Sequence, residues 1–156
     1  MGIDIDEVHS VVPIKADPFV SERLTVPGIG TAAPYASGDA FGGLLVFEVP
    51  RKGTIANVLF FDLDNEAINK ELVLFSVKFT ETADNSPFDP ADFELLSSIG
   101  VVFINTWSSF ANNGLGQGVP ALSYIAPAGR LYGQLVTRGA DNIAAANLPA
   151  IQMVVV

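Results

Sequence analysis

YASGDAFGGLLVFEVPRKG, Tyr35 to Gly53, decides between two readings of the chain. Its first half sets Gly38, Gly42 and Gly43 around Asp39, a composition suited to a loop that wraps a phosphate. Its second half, FGGLLVFEV, places Phe41, Leu45, Phe47 and Val49 on one face of a strand, with Gly43 as the gap among them. A phosphate-binding P-loop needs a Lys-Ser/Thr pair after its glycines, and none follows here. The stretch therefore reads as a turn at Gly38 and Asp39 that opens a strand. Gly42 and Gly43 then supply a bulge or a close backbone approach.

Working outward, PRKG (Pro50 to Gly53) is a turn and TIANVLFF (Thr54 to Phe61) a mostly buried strand. DLDNEAINK is a polar connection. In ELVLFSVKF (Glu71 to Phe79), Val73, Phe75, Val77 and Phe79 fall on one side, with Ser76 and Lys78 on the other. TETADNSPFDP is a loop. PADFELLSSIG fits one short helix, about residues 89–97, with Asp89 as its cap, Pro90 in its first turn and Gly100 closing it. VVFINTW (Val101 to Trp107) is the next strand and SSFANNGLGQG a Gly/Asn loop. VPALSYIA, RLYGQLVTR and LPAIQMVVV read as three more strands. Roughly seven or eight strands follow one another without alternating helices, which predicts an all-β single domain, a jelly-roll or β-sandwich-like barrel.

Residues 1–22 differ from the domain at 23–156. They are acidic, are interrupted by Pro13 and Pro18, and carry only short apolar clusters, VHSVVPI and PFV. Proline at those points excludes a long helix or a central strand. The segment reads either as a frayed terminus or as an extended arm of ~20 residues and ~65 Å reach. Such an arm orders on a neighbour by adding a strand through Ser10 to Ile14.

The net charge of −9 lacks the basic footprint that duplex nucleic acid or an anionic membrane requires. No apolar run approaches the ~20 residues of a membrane span. Residues 1–20 contain Asp4, Asp6, Glu7 and Asp17 and no apolar core, so no secretory signal is expected. Cysteine is absent, which removes disulfides, thiolate nucleophiles and cysteine zinc sites, and suits a reducing cytoplasm. Charge is unevenly spread. Asp62 to Glu94 holds nine acids against Lys70 and Lys78, whereas Leu95 to Val156 holds only Asp141, Arg130 and Arg138. So few charges cannot cover a normal solvated surface. Either a buried half of the sheet or a charge-depleted subunit interface accounts for them.

Chemical motifs fail one by one. GIGTAA, Gly28 to Ala33, matches a dinucleotide fingerprint in letters, but Pro27 and Pro34 flank it and no helix follows. DLDNE, Asp62 to Glu66, starts like a calcium loop, yet Ala67 and Val73 stand where glycine and a bidentate glutamate are needed. His9, the lone histidine, lies in the arm. No spacing singles out a carboxylate pair for glycoside hydrolysis. Trp107, Tyr124 and Tyr132 suit either a sugar platform or, more ordinarily, a core. No enzyme activity, cofactor or metal site is expected.

The ordered series YASGDAFGG, RKGTIANVLFFD, ELVLFSVKFTETADNSPFDPADFELLSSIGVV and RLYGQLVTRG resembles a group of tailed-bacteriophage structural proteins. Their shared pattern is a Y-x-x-G-D-x-x-G opening, a basic-Gly turn leading to a strand that ends in Asp, a block with LVLF, a Thr, DN-x-PF and a further Asp in that order, and an LYG-x-LV-x-RG strand near the end. The resemblance spans about Tyr35 to Gly139 and leaves the arm out. It implies a capsid decoration (cement) protein on the exterior of the virion, made in the bacterial host cytoplasm. The implied partners are the major capsid protein and further copies of the chain, with a trimer the expected form. Ser10, Val11, Val12, Ile14, Phe19 and Val20 are the expected capsid-contact residues of the arm. A tail, connector or head-fibre base protein, or a carbohydrate-binding jelly roll, are the alternatives.

Overall fold

A computed structural model describes residues 17–156. Ser10, Val11, Val12 and Ile14 lie outside the described residues. Those described form strands β1 (Phe19–Val20), β2 (Leu24–Thr25), β3 (Ala40–Glu48), β4 (Lys52–Asp62) and β5 (Lys70–Phe75), then helix α1 (Asp92–Leu95). Strands β6 (Ser98–Ile104), β7 (Thr106–Ser109), β8 (Gly114–Gly118), β9 (Leu122–Ile125), β10 (Arg130–Thr137) and β11 (Ala150–Val155) follow. Two antiparallel sheets pack as an all-β sandwich. One runs β3-β10-β5-β6, the other β1-β11-β4-β8-β7, with β2 also on β11 and β9 also on β4.

The alternation in β3 delivers Phe41, Leu45 and Phe47 to the core, where they meet Ile55, Val58 and Phe60 of β4 and Ile151, Met153 and Val155 of β11. Phe41 and Leu45 keep the same face although β3 bulges between them. While β10 advances from Gly133 to Leu135, β3 spans Leu45 to Phe41. Gly42 makes the bulge feasible: its φ is 74°, and a Cβ there would stand 2.5 Å from Val26 and 2.7 Å from the Pro27 carbonyl. β5 is buried on both faces. Leu72 and Leu74 join the main core, and Val73 and Phe75 form a second cluster with Phe79 and Val136.

One edge of the sandwich is closed by the chain itself. β6 pairs with β5 in one sheet, and after Asn105 the same run continues as β7, which pairs with β8 in the other. The sheets meet closely there. A Cβ on Gly118 would lie 2.6 Å from the Phe103 carbonyl oxygen and 2.8 Å from Val102.

Several boundaries differ from the sequence reading. α1 is shorter than residues 89–97: its cap position is Ala91, which has no side-chain acceptor, and Ser98 is drawn into β6 against Phe75. None of its residues is buried, so no burial sustains a longer helix. Gly100, the expected helix stop, lies inside β6. GLGQG, read as loop, is strand β8, held by β4 and β7 on its two sides. Eleven strands among the described residues thus replace the seven or eight anticipated. The ladder of β5 ends at Phe75, and Val77 turns outward.

Candidate interaction surface

The glycine loops do cradle an anion, and it belongs to the chain. The Asp84 carboxylate accepts the backbone N–H of Gly42 at 2.6 Å, that of Gly30 at 2.8 Å and the Tyr35 hydroxyl at 2.8 Å. Burial, and then the adjacent Asp84 carboxylate, push the Tyr35 phenol well above its ordinary range. Fully buried Gln134 donates to the carbonyls of Gly42 and Thr82 and accepts the Thr82 N–H, joining β10 to both segments. The GIGTAA and GDAFGG motifs thus meet at a structural junction whose anion is the chain's own Asp84.

The acidic turn is likewise occupied. Asp62 accepts the N–H groups of Asp64 and Ala67, and Asp64 accepts those of Ala144 and the Asn147 side chain. Among the described residues no cluster of three or more His, Asp or Glu side chains is disposed to hold a metal ion. No helix among them is long and apolar enough to cross a membrane. Trp107 packs edge-on against Phe60, with ring centroids 6.0 Å apart, and donates to Asn69 at 2.9 Å. Tyr124 is buried, donating to the Pro50 carbonyl, and Tyr132 leans on the outer cluster of β5. The three rings are not gathered into one open platform.

What remains exposed is apolar. Residues 95–129 contain no Asp, Glu, Lys or Arg, and the structure puts much of this run at the surface. Phe103 is 58 %, Val119 72 % and Ile125 70 % exposed. Phe103 and Val119 border an open cleft between the outer side of β6 and the β8–β9 connection, where Val101 and Leu122 also lie. A second shallow cleft continues past Ile99 and Ile125 to Ser76, and a third runs from Ser76 to Val77 and Pro127. The first two make one uncharged stripe along the β6/β9 side of the sandwich, and the third ends it at exposed Lys78. Neither the outer edge of β6 nor that of β9 is paired with another strand among the described residues.

The acids lie elsewhere, and the two arginines that follow the uncharged run are both engaged: Arg130 with Glu48 at 2.6 Å and Arg138 with Glu71 at 2.5 Å. Of the expected arm residues, Phe19 and Val20 pair with Val155 and Val154 of β11 and keep their side chains exposed. β1 is the outermost strand on that side of the β11 sheet. The sequence pattern flagged the shortage of charge after Leu95. It gave no means of telling a buried sheet from this exposed stripe, because an apolar run reads the same either way. Comparison with known protein families, with curated proteins and with solved structures finds no match.

Proposed function

We propose that this protein is an accessory structural component of a tailed-bacteriophage virion: a decoration protein that binds the outside of the expanded head and cements capsomer junctions. The resemblance of Tyr35 to Gly139 supplies the class, and the exposed, uncharged stripe on a chain of net charge −9 is the observation that carries the mechanism. Copies of so acidic a protein repel one another through most of their surfaces. The β6/β9 stripe is where two copies can meet without like-charge repulsion, and its apolar side chains gain by burial. Self-association there into a trimer places several capsid-binding sites on one particle. Linked sites gain effective concentration without new kinds of contact.

In this reading Phe19 and Val20 anchor the arm to β11, while Ser10, Val11, Val12 and Ile14 reach the major capsid protein and add a strand to a shell sheet edge. The work is mechanical and uses no cofactor, metal or nucleic acid. The protein is made in the host cytoplasm and ends on the virion exterior. Heads lacking the protein are to be heated with and without it; rupture at a higher temperature in its presence is the expected result. Unchanged rupture, with binding to tails or connectors instead, moves the protein to another part of the virion. Binding to a glycan array in place of heads establishes the sugar-binding alternative.

A further inference from the structure

Lys70 and Asp141 are the one pair of opposite charges that the described residues bury completely, each side chain being 1 % exposed, with Nζ 2.6 Å from Oδ1. The amine lies over the rings of Phe41 and Phe60, at 4.8 and 5.5 Å from their centroids. It also donates to the Ile68 carbonyl at 2.8 Å. The second carboxylate oxygen of Asp141, Oδ2, accepts the hydroxyl of Thr137. Glu66 is near enough to the pair for the Asp141 carboxylate to raise its own, and the backbone of Asn142, next in the chain to Asp141, partly offsets that. An apolar pair of similar volume commonly stabilises a core as well as a buried ion pair does. Packing alone therefore does not call for a lysine and an aspartate at this point.

We propose that Lys70 and Asp141 are joined by an intramolecular isopeptide bond, formed in the folded chain by condensation of the lysine amine with the aspartate carboxyl. The pair begins as ammonium and carboxylate. In the first step the proton passes from Nζ to Oδ1 across their 2.6 Å contact, which frees the nitrogen lone pair. Burial lowers the lysine's proton affinity more than Asp141 restores it. The Nζ lone pair then attacks Cγ of Asp141, and the Thr137 hydroxyl donates to Oδ2 as negative charge collects there. Glu66 takes a proton from the nitrogen and returns one to Oδ1, which leaves as water. Burial, and then the carboxylates of Asp141, Asp64 and Asp62, raise the Glu66 carboxyl above the ordinary value, the direction that suits a group exchanging a proton in this step. The C–N bond forms, the C–O bond breaks, and Glu66 ends in its starting state. One ammonium and one carboxylate become one amide and one water, with no change in net charge and no oxidant. Exclusion of bulk water from the pocket disfavours the return reaction.

The bond closes a covalent loop that contains β5 through β10, and with them the whole uncharged stripe. Its formation depends on the fold alone and not on the capsid reading.

Intact mass spectrometry of the denatured full-length wild-type protein tests the proposal, followed by tandem sequencing of a digest. The expected mass is lower than that of the sequence by one water, with a branched peptide joining Lys70 to Asp141. Glu66→Gln and Lys70→Arg are both expected to restore the uncondensed mass. For Glu66→Gln, a retained β-sheet circular dichroism spectrum shows that the reaction, and not the fold, was lost. A wild-type mass equal to that of the uncondensed sequence overturns the proposal, as does a water loss that maps to other residues. A Glu66→Gln protein as fully linked as wild type removes Glu66 from the reaction.

Discussion

The carboxylate of Asp84 accepts the backbone N–H of Gly42 at 2.6 Å, across 42 residues of sequence. Tyr35 and Gly30 donate to the same carboxylate. Segments far apart in the chain thus meet at one junction, with Gln134 of β10 beside it. Their shared role in this structure is to fix the β3 bulge and the loop that covers it.

Asp84→Ala leaves three donors without their acceptor. Leaving such groups unpaired costs on the order of 3 kcal/mol in all. A urea titration followed by circular dichroism is expected to show a lower midpoint with an unchanged slope. A midpoint equal to wild type denies the junction its structural weight.

The same junction sets an alkaline limit. In the unfolded chain Tyr35 ionises near the ordinary phenol value of 10.0, whereas burial and then Asp84 keep it protonated to higher pH in the fold. Stability from this group is whole below pH 10.0 and is lost as pH rises above it. Tyr124 adds to the same trend, its phenol also raised by burial. Thermal melts from pH 8 upward are expected to show a fall that Tyr35→Phe makes shallower; identical profiles contradict this assignment.

Gly118→Ala tests the closed edge of the sandwich. The added Cβ would stand 2.6 Å from a backbone oxygen of β6, so the strands must separate. A loss of about 2 kcal/mol is expected from such overpacking. Equal stability by denaturant titration means that the edge is looser than its geometry implies.

Charges placed on the stripe test self-association. Phe103→Asp and Val119→Lys alter exposed side chains and leave the core untouched, so melting of the folded domain is expected to change little. Wild type is expected to sediment as an oligomer, and each variant to dissociate at least about tenfold more readily, roughly 1.4 kcal/mol. Oligomers of undiminished stability place the contact on another face.

Much of this architecture was legible because one face of each long strand is apolar. Phe41, Leu45 and Phe47 alternate even across the bulge, and Leu131 and Leu135 of RLYGQLVTR reach the same core. GLGQG was not legible as β8. Its glycines admit Trp107 and the β6 backbone at close range, a requirement set by partners remote in sequence. Val77 continued the alternation of β5 on paper, but the chain turns at Ser76, whose N–H goes to the Ser97 carbonyl. The Lys70–Asp141 pair gave no local sign at all, since its partners are 71 residues apart. The charge gap after Leu95 was visible, whereas its exposure depended on which strands lack neighbours.

The most direct measurement is a count of copies bound per head. Expanded phage heads lacking the protein are mixed with increasing amounts of it, pelleted, and quantified on gels. The account predicts saturable binding at a copy number matching a symmetry class of the shell, and its loss, with the fold retained, when residues 1–16 are removed. Absence of binding to competent heads contradicts the decoration reading, and full binding by the truncated protein contradicts the arm.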